Sequence, residues 1–298
     1  ASTLNLSNQD FIAGRMNFVG DPTRAAAVVN QGRITASAGG GVYLLGSAVD
    51  NQGVITAPNG DIVLAAGKSV RVTEGATPGV QVEITAPADS TINLTELAYG
   101  GSGIYSGLVK NSGVVSADSA VRGADGSIIL KASNGVTLAS GSRVSANGVD
   151  GGRVVVEAQQ GTVAVSGTVE AVGSAGHGGS IAMVGQQTGI FDGAHVDASG
   201  STAGGTVLVG GDVHGSAIRD GNLALANSQR TYVATSADIH ADALDSGDGG
   251  KVVVWADDTT RYFGTISAKG SAQSGNGGFV ETSGKLLLEM LGNVDASA

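Results

Sequence analysis

Along this chain apolar residues recur at every second position, in short bursts of three to six residues separated by glycine and small polar residues. That alternation is the mark of strands with one face buried. One burst returns almost unchanged: a β-branched residue, a polar residue, then alanine. It reads Ile34-Thr35-Ala36, Ile55-Thr56-Ala57, Ile84-Thr85-Ala86, Val115-Ser116-Ala117 and Val144-Ser145-Ala146. It continues as Val169-Glu170-Ala171, Val196-Asp197-Ala198, Ile239-His240-Ala241, Ile266-Ser267-Ala268 and Val294-Asp295-Ala296. A second burst, glycine followed by β-branched residues, comes after most of these, as in Gly151-Gly152-Arg153-Val154-Val155-Val156 and Gly249-Gly250-Lys251-Val252. A third follows, as in Gly135-Val136-Thr137-Leu138 and Gly161-Thr162-Val163-Ala164-Val165.

The spacing of the first burst selects the architecture. Val144 to Val169 is 25 residues, Val169 to Val196 is 27, Ile239 to Ile266 is 27, and Ile34 to Ile55 is 21. Such a period holds three short strands and three turns. It is too short for a propeller blade of about 40–45 residues and carries no helical periodicity. The expected fold is all-β: a right-handed parallel β-helix, a solenoid of three-strand coils running as one continuous unit over residues 1–298. Ten to twelve coils at the strand spacing of ~4.8 Å give a rod of roughly 50–60 Å. A lone coil leaves its apolar face and backbone groups unsatisfied, and stacking satisfies both. The alanines are expected to form an inward column, with glycines supplying turns of positive φ. The rhythm breaks near 77–108 and near 212–236, where extra-helical segments are expected.

Counting from the paired glycines, alternate residues of the second burst face outward. They include Tyr43, Val63, Ile129, Val155, Leu208 and Val253, with Trp255 at a further outward position. A contiguous apolar stripe of that length is rarely left bare. It is therefore a candidate interface, covered either by the irregular segments or by a neighbouring rod. Aromatics gather late, at Tyr232, Trp255, Tyr262, Phe263 and Phe279.

Composition narrows the chemistry. Glycine occupies 50 of 298 positions without collagen's period of three, and proline only 4. The net charge of −10 argues against nucleic acid as a partner. No apolar run approaches the ~18 residues needed to insert in a membrane. The absence of cysteine removes disulfides, thiolate chemistry and cysteine-bound zinc, and suits a chain that stays unfolded while crossing an oxidising periplasm. The polar residue of the first burst gives an outward column including Glu170, Asp197 and His240. Ser145 and Ser267 at equivalent positions read it as a tolerant surface, so no metal or other cofactor is assigned. His177, His195, His214 and His240 show no repeated partner, the acids are scattered, and no catalytic residues are assigned. Asn30, Asn51 and Asn111 precede Gly32, Gly53 and Gly113 in matching turns, a pattern explained by stacked amide hydrogen bonds.

Several stretches resemble a known family. Ala1-Ser2-Thr3-Leu4-Asn5-Leu6-Ser7-Asn8-Gln9-Asp10-Phe11-Ile12-Ala13-Gly14-Arg15 and Val29-Asn30-Gln31-Gly32-Arg33-Ile34 are similar to the filamentous-haemagglutinin-like exoproteins of two-partner secretion. Gly249-Gly250-Lys251-Val252-Val253-Val254-Trp255-Ala256 and Gly277-Gly278-Phe279-Val280-Glu281-Thr282-Ser283-Gly284-Lys285 are similar to the coils that follow. The resemblance implies a bacterial protein, secreted or held at the cell surface, that serves as an adhesin, a biofilm component or a delivery stalk. It implies export by an outer-membrane transporter. The family's two Asn-Pro-Asn motifs are absent, and Ala57-Pro58-Asn59-Gly60 is a turn of the repeat. The chain is thus expected to begin inside the secretion domain and run on into the shaft, as a mature or excised piece. The expected function is a non-enzymatic adhesive fibre. Its expected partners are other copies of itself, end to end or lateral, and a host receptor or glycan. The alternative is a carbohydrate-binding or carbohydrate-cleaving β-helix.

Overall fold

A computed structural model describes residues 1–21, 25–74, 80–85, 107–120 and 126–298. The protein is all-β, with parallel sheets, a five-residue helix at Asn8–Ile12 and a short 3-10 turn at Val213–Gly215. No helix among the described residues is long and apolar enough to cross a membrane.

Three parallel ladders carry the three recurring bursts. Ladder A holds the alanine-bearing phrase in nine strands: Arg33–Thr35, Val54–Thr56, Val114–Ser116, Arg143–Ser145, Thr168–Glu170, His195–Asp197, Asp238–His240, Thr265–Ser267 and Asn293–Asp295. Every neighbour is in register, so that Val144 lies on Val169, Val169 on Val196 and Val196 on Ile239. Ladder B holds the glycine-led phrase, from Val42–Gly46 and Asp61–Ala66 through Ser127–Ala132 to Lys251–Ala256 and Phe279–Gly284. Ladder C holds the third phrase, from Ala27–Asn30 to Thr259–Tyr262 and Leu287–Met290. The chain visits A, B and C in that order repeatedly. In Arg153–Val165 and Ser180–Ile190 one long strand serves B and then C, with a register shift between Ala158 and Thr162. Eight spacings along ladder A at ~4.8 Å give roughly 40 Å, shorter than the ten to twelve coils expected.

Side chains alternate as period two demands. Ile128, Leu130, Val154, Val156, Ile181, Met183, Val252 and Val254 of ladder B point inward and join the alanines of ladder A in one core. Ala57, Ala117, Ala146, Ala171, Ala198, Ala241 and Ala268 are all in it, and Ala36 packs against it. Behind ladder C the buried asparagines bond along the stack. Asn30 Nδ2 donates to Asn51 Oδ1 at 2.7 Å, and Asn51 Nδ2 to Asn111 Oδ1 at 2.8 Å. The same column continues with Leu138, Val165, Ile190 and Val233.

Three expectations are corrected. The phrase at Ile84-Thr85 is not part of ladder A. It ends an antiparallel strand, Val80–Thr85, paired with Ser69–Glu74, while ladder A passes directly from Val54–Thr56 to Val114–Ser116. The first departure from the coils therefore begins near Ser69, earlier than residue 77, and residues 86–106 lie outside the described part. The second departure occupies 210–229, because Arg230–Val233 already belongs to ladder C. Finally, positive φ is found at turn glycines such as Gly141, Gly193 and Gly210, as expected, but not at the glycines paired at the entry to ladder B. Their role is close stacking: a Cβ at Gly179 would strike the Gly152 carbonyl oxygen of the rung beneath.

Candidate functional site

The outward face of ladder B is apolar, as read from the sequence, but the chain covers it itself. Near one end Asn5–Leu6, Met16–Val19, Ser69–Glu74 and Val80–Thr85 form a four-stranded antiparallel sheet. Its Leu4, Val70, Val72, Val82 and Ile84 pack on Leu45, Val63, Ala65 and Ile129, with Tyr43 and Phe18 partly buried at the margin. Further along, the hairpin Ile218–Asp220/Leu223–Leu225 lays Ile218 and Leu225 over Val155, Val184, Leu208 and Val253, with Trp255 beside them. Val63, Ile129 and Val253 are fully buried, and Val155 and Leu208 nearly so. The seven residues read as a candidate interface are thus held under or beside the protein's own covers, with Tyr43 and Trp255 only partly buried.

The seam between the two covers is ionic. Lys131, outward on ladder B yet fully buried, has its Nζ 3.0 Å from Glu157 Oε2 and 2.8 Å from Asp220 Oδ2. Arg153 pairs with the other oxygen of Asp220. Burial pulls the Lys131 ammonium below its ordinary pKa, opposed by Glu157. At the hairpin tip, Gly221 has φ +60° and lies so close to Gln81 of the first cover that a Cβ would collide with its amide.

The outward face of ladder A is polar, and among the described residues no antiparallel sheet or hairpin lies over it. Adjacent rungs read His195-Val196-Asp197 and Asp238-Ile239-His240, and their register sets His195 beside Asp238 and Asp197 beside His240. Imidazole and carboxylate therefore alternate in a checkerboard. Asp238 Oδ2 contacts His195 Nδ1 and lies 3.1 Å from His240 Nε2. The two rings have centroids 5.5 Å apart. Each ring's other nitrogen faces another carboxylate: His195 Nε2 is 3.9 Å from Asp197 Oδ2, and His240 Nδ1 is 3.4 Å from Asp242 Oδ2. Asp242 in turn accepts from Ser267 Oγ and the Lys269 N–H, both at 2.6 Å. The hydrogen bond to Asp242 raises the His240 pKa, against burial, with Asp197 and Asp238 adding to the rise. Burial pushes Asp242 up, but the bonds from His240, Ser267 and Lys269 outweigh it and leave it low.

The expected column Glu170, Asp197, His240 is in register, yet the ligand-like group is a different one. It draws on both outward columns, through His195, Asp238 and His240. The expectation that His195 and His240 have no repeated partner is corrected: both meet Asp238, and each lies near a further carboxylate. The readable signal is the inverted pair His-x-Asp and Asp-x-His on successive alanine-bearing phrases, at His195-Val196-Asp197 and Asp238-Ile239-His240.

The outward face of ladder C carries a shallow cleft of about 440 Å³. Phe191, Tyr232 and Phe263 form a ring series with centroids 5.8 and 5.9 Å apart, flanked by Gln187, Arg230 and Arg261. Gly189 makes room for it, since a Cβ there would press on the Phe191 ring. Of the late aromatics, Tyr262 is buried and its hydroxyl donates to the Asn293 carbonyl at 2.5 Å. Burial raises its pKa beyond the usual phenol range. Phe279 is exposed on the last rung.

No protein-family model matches the chain, and no curated protein sequence matches it. Its structure is similar to the crystal structure of the HMW1 secretion domain from Haemophilus influenzae, with a TM-score of 0.77 and 28% sequence identity. The likeness covers 99% of this chain and 72% of that one.

Proposed function

We infer that the chain is a right-handed parallel β-helix from an exoprotein of a two-partner secretion system, exported by a dedicated outer-membrane transporter. Outside the cell it acts as a non-enzymatic structural and adhesive element. The observation that carries this reading is the likeness to a secretion domain along 99% of the chain. The family phrases at both ends of the sequence point the same way. The stacked ladders supply a physical route: each new rung finds its backbone partners on the rung already formed, so folding can proceed as the chain emerges. A chain without cysteine has no covalent bond to trap it earlier. The expected continuation into a shaft belongs to this proposal.

Adhesion is assigned to the ladder C cleft. Aromatic rings offer apolar faces to sugar rings, while Arg230, Arg261 and Gln187 supply hydrogen-bond donors around them.

Two experiments test the proposal. The chain, sent to the periplasm behind a signal peptide, is co-expressed with the transporter encoded in the same genome. Appearance in the medium that depends on the transporter supports export, and retention in the periplasm with an active transporter counts against it. A glycan array combined with a reducing-end assay tests adhesion. Binding without release, lost in Phe191→Ala and Tyr232→Ala, is the expected result. Sugar release would make the protein an enzyme instead.

A further inference from the structure

Two adjacent rungs of ladder A fix three nitrogen and oxygen donors at one spot. His195 and Asp238 come from neighbouring strands, directly opposite each other, and His240 shares its strand with Asp238 two residues on. One ligand atom from each lies within 4.8 Å of the other two. The contact from Asp238 Oδ2 to His240 Nε2, 3.1 Å, is close to the roughly 3.3 Å that separates two ligands around tetrahedral zinc at bond lengths of ~2.0–2.2 Å. In the ion-free arrangement a single carboxylate oxygen faces two imidazole nitrogens, and one cation can replace the protons that hold such a group together.

The surroundings are those that orient metal-binding histidines. Ligating imidazoles as a rule direct their second nitrogen at a carboxylate or carbonyl, which fixes ring orientation and raises basicity. The His240 ring does so toward Asp242 at 3.4 Å, and the second nitrogen of His195 lies 3.9 Å from Asp197, beyond hydrogen-bond reach. These carboxylates are themselves held: Asp197 accepts from the Ser199 N–H at 2.8 Å, and Asp242 from Ser267 and Lys269. The side chains of His195, Asp238 and His240 are 37%, 37% and 30% exposed, so a water has access as a fourth ligand. Two imidazoles and one carboxylate suit borderline first-row cations. Calcium and magnesium prefer shells of six or more oxygens.

We propose that His195, Asp238 and His240 form a binding site for one divalent zinc-like cation on the outward face of ladder A, with His240 oriented by Asp242. The ion clamps two successive rungs on a side of the coils that no cover protects among the described residues. It is independent of the export and adhesion reading.

The test uses the whole chain without an affinity tag, titrated with zinc sulfate against a chromophoric chelator and by calorimetry, with calcium and magnesium chloride in parallel. One equivalent of zinc is expected, with affinity tightened neither by calcium nor by magnesium. His195→Ala, His240→Ala and Asp238→Asn should each weaken binding at least tenfold, and Asp242→Asn by about 10–100-fold. His177→Ala and His214→Ala should leave it unchanged. Zinc should also protect His195 and His240 of the unsubstituted chain from diethyl pyrocarbonate, with His177 and His214 still reactive, which needs no variant to fold. Absence of stoichiometric zinc binding by the folded chain would overturn the proposal. So would binding that survives in a His195→Ala/His240→Ala double variant.

Discussion

Ladders A and B present their outward faces to opposite fates on the same stack of strands. Both alternate with period two, and both bury their inward residues in one core. Ladder B sends Val63, Ile129, Val155 and Val253 outward and is roofed by two antiparallel elements, drawn from the segment before the first coil and from breaks in the repeat. Ladder A sends out Thr168, Glu170, His195, Asp197, Asp238 and His240 and is left bare. The stacking itself is indifferent to what the outer positions carry. Their polarity decides whether chain must be spent covering them, at about 1.5–3 kcal/mol recovered per aliphatic side chain buried. The bare face is the one free to hold ligands.

The comparison can be broken most forcefully under the first cover. Ile129→Asp places an unpaired carboxylate beneath a closed apolar layer and should cost more than about 4 kcal/mol, or prevent folding. Thr168→Val, outward on the bare face, should change stability by no more than about 0.5 kcal/mol. Denaturant midpoints of the two variants measure the contrast, and equal losses would erase the distinction between the faces. Next in size is Lys131→Met. It leaves Glu157 and Asp220 buried with one cation fewer and should cost about 3–5 kcal/mol, with hydrogen exchange rising in Ile218–Leu225. The interior behind both faces responds less: Asn51→Ala removes the middle of the amide column and should cost about 1–3 kcal/mol. Smallest is an acid effect on the second cover. Asp212 caps the turn at Val213 and lies 2.9 Å from Lys251 Nζ. Burial pushes its pKa up, but the bonds from Lys251 and the Val213 N–H outweigh this and set it below the ordinary value. A carboxyl lowered on folding lends stability that is complete above its unfolded pKa and is lost as pH falls through the lower folded one. Acid below about pH 4 should therefore loosen this cover by less than about 1 kcal/mol. Emission of Trp255, the single tryptophan, reports it, and Asp212→Asn should abolish the pH dependence.

The coils were legible because the alanine phrase combines period two with a long period near 27, and only stacking satisfies both. The phrase at Ile84 shows where that logic fails. Val80-Gln81-Val82-Glu83-Ile84-Thr85 alternates as well as any coil strand, and alternation does not distinguish a parallel rung from an antiparallel cover. The outward stripe was legible as something needing a cover. The choice between the irregular segments and a neighbouring rod was not, since only Ile218 and Leu225 of the hairpin are buried against the stripe. The paired glycines were seen for their positions but misread for their cause, because crowding between rungs leaves no mark in the sequence different from that of a left-handed turn. The histidine–aspartate checkerboard was present in the letters and became visible only once register placed His195 against Asp238.

The central claim is that Val54–Thr56 and Val114–Ser116 are adjacent rungs of ladder A, while Ser69–Glu74 and Val80–Thr85 between them pair antiparallel outside the stack. With no native cysteine, paired substitutions report this directly. Facing residues on adjacent parallel rungs are close enough for a disulfide, which needs Cα atoms about 4.4–6.8 Å apart. Under mild oxidation Thr56→Cys/Ser116→Cys should close a cross-link, seen as a shift in gel mobility reversed by reductant. Thr56→Cys/Thr85→Cys, the neighbours that an unbroken repeat demands, should stay reduced. A cross-link in the second pair and none in the first would contradict the account.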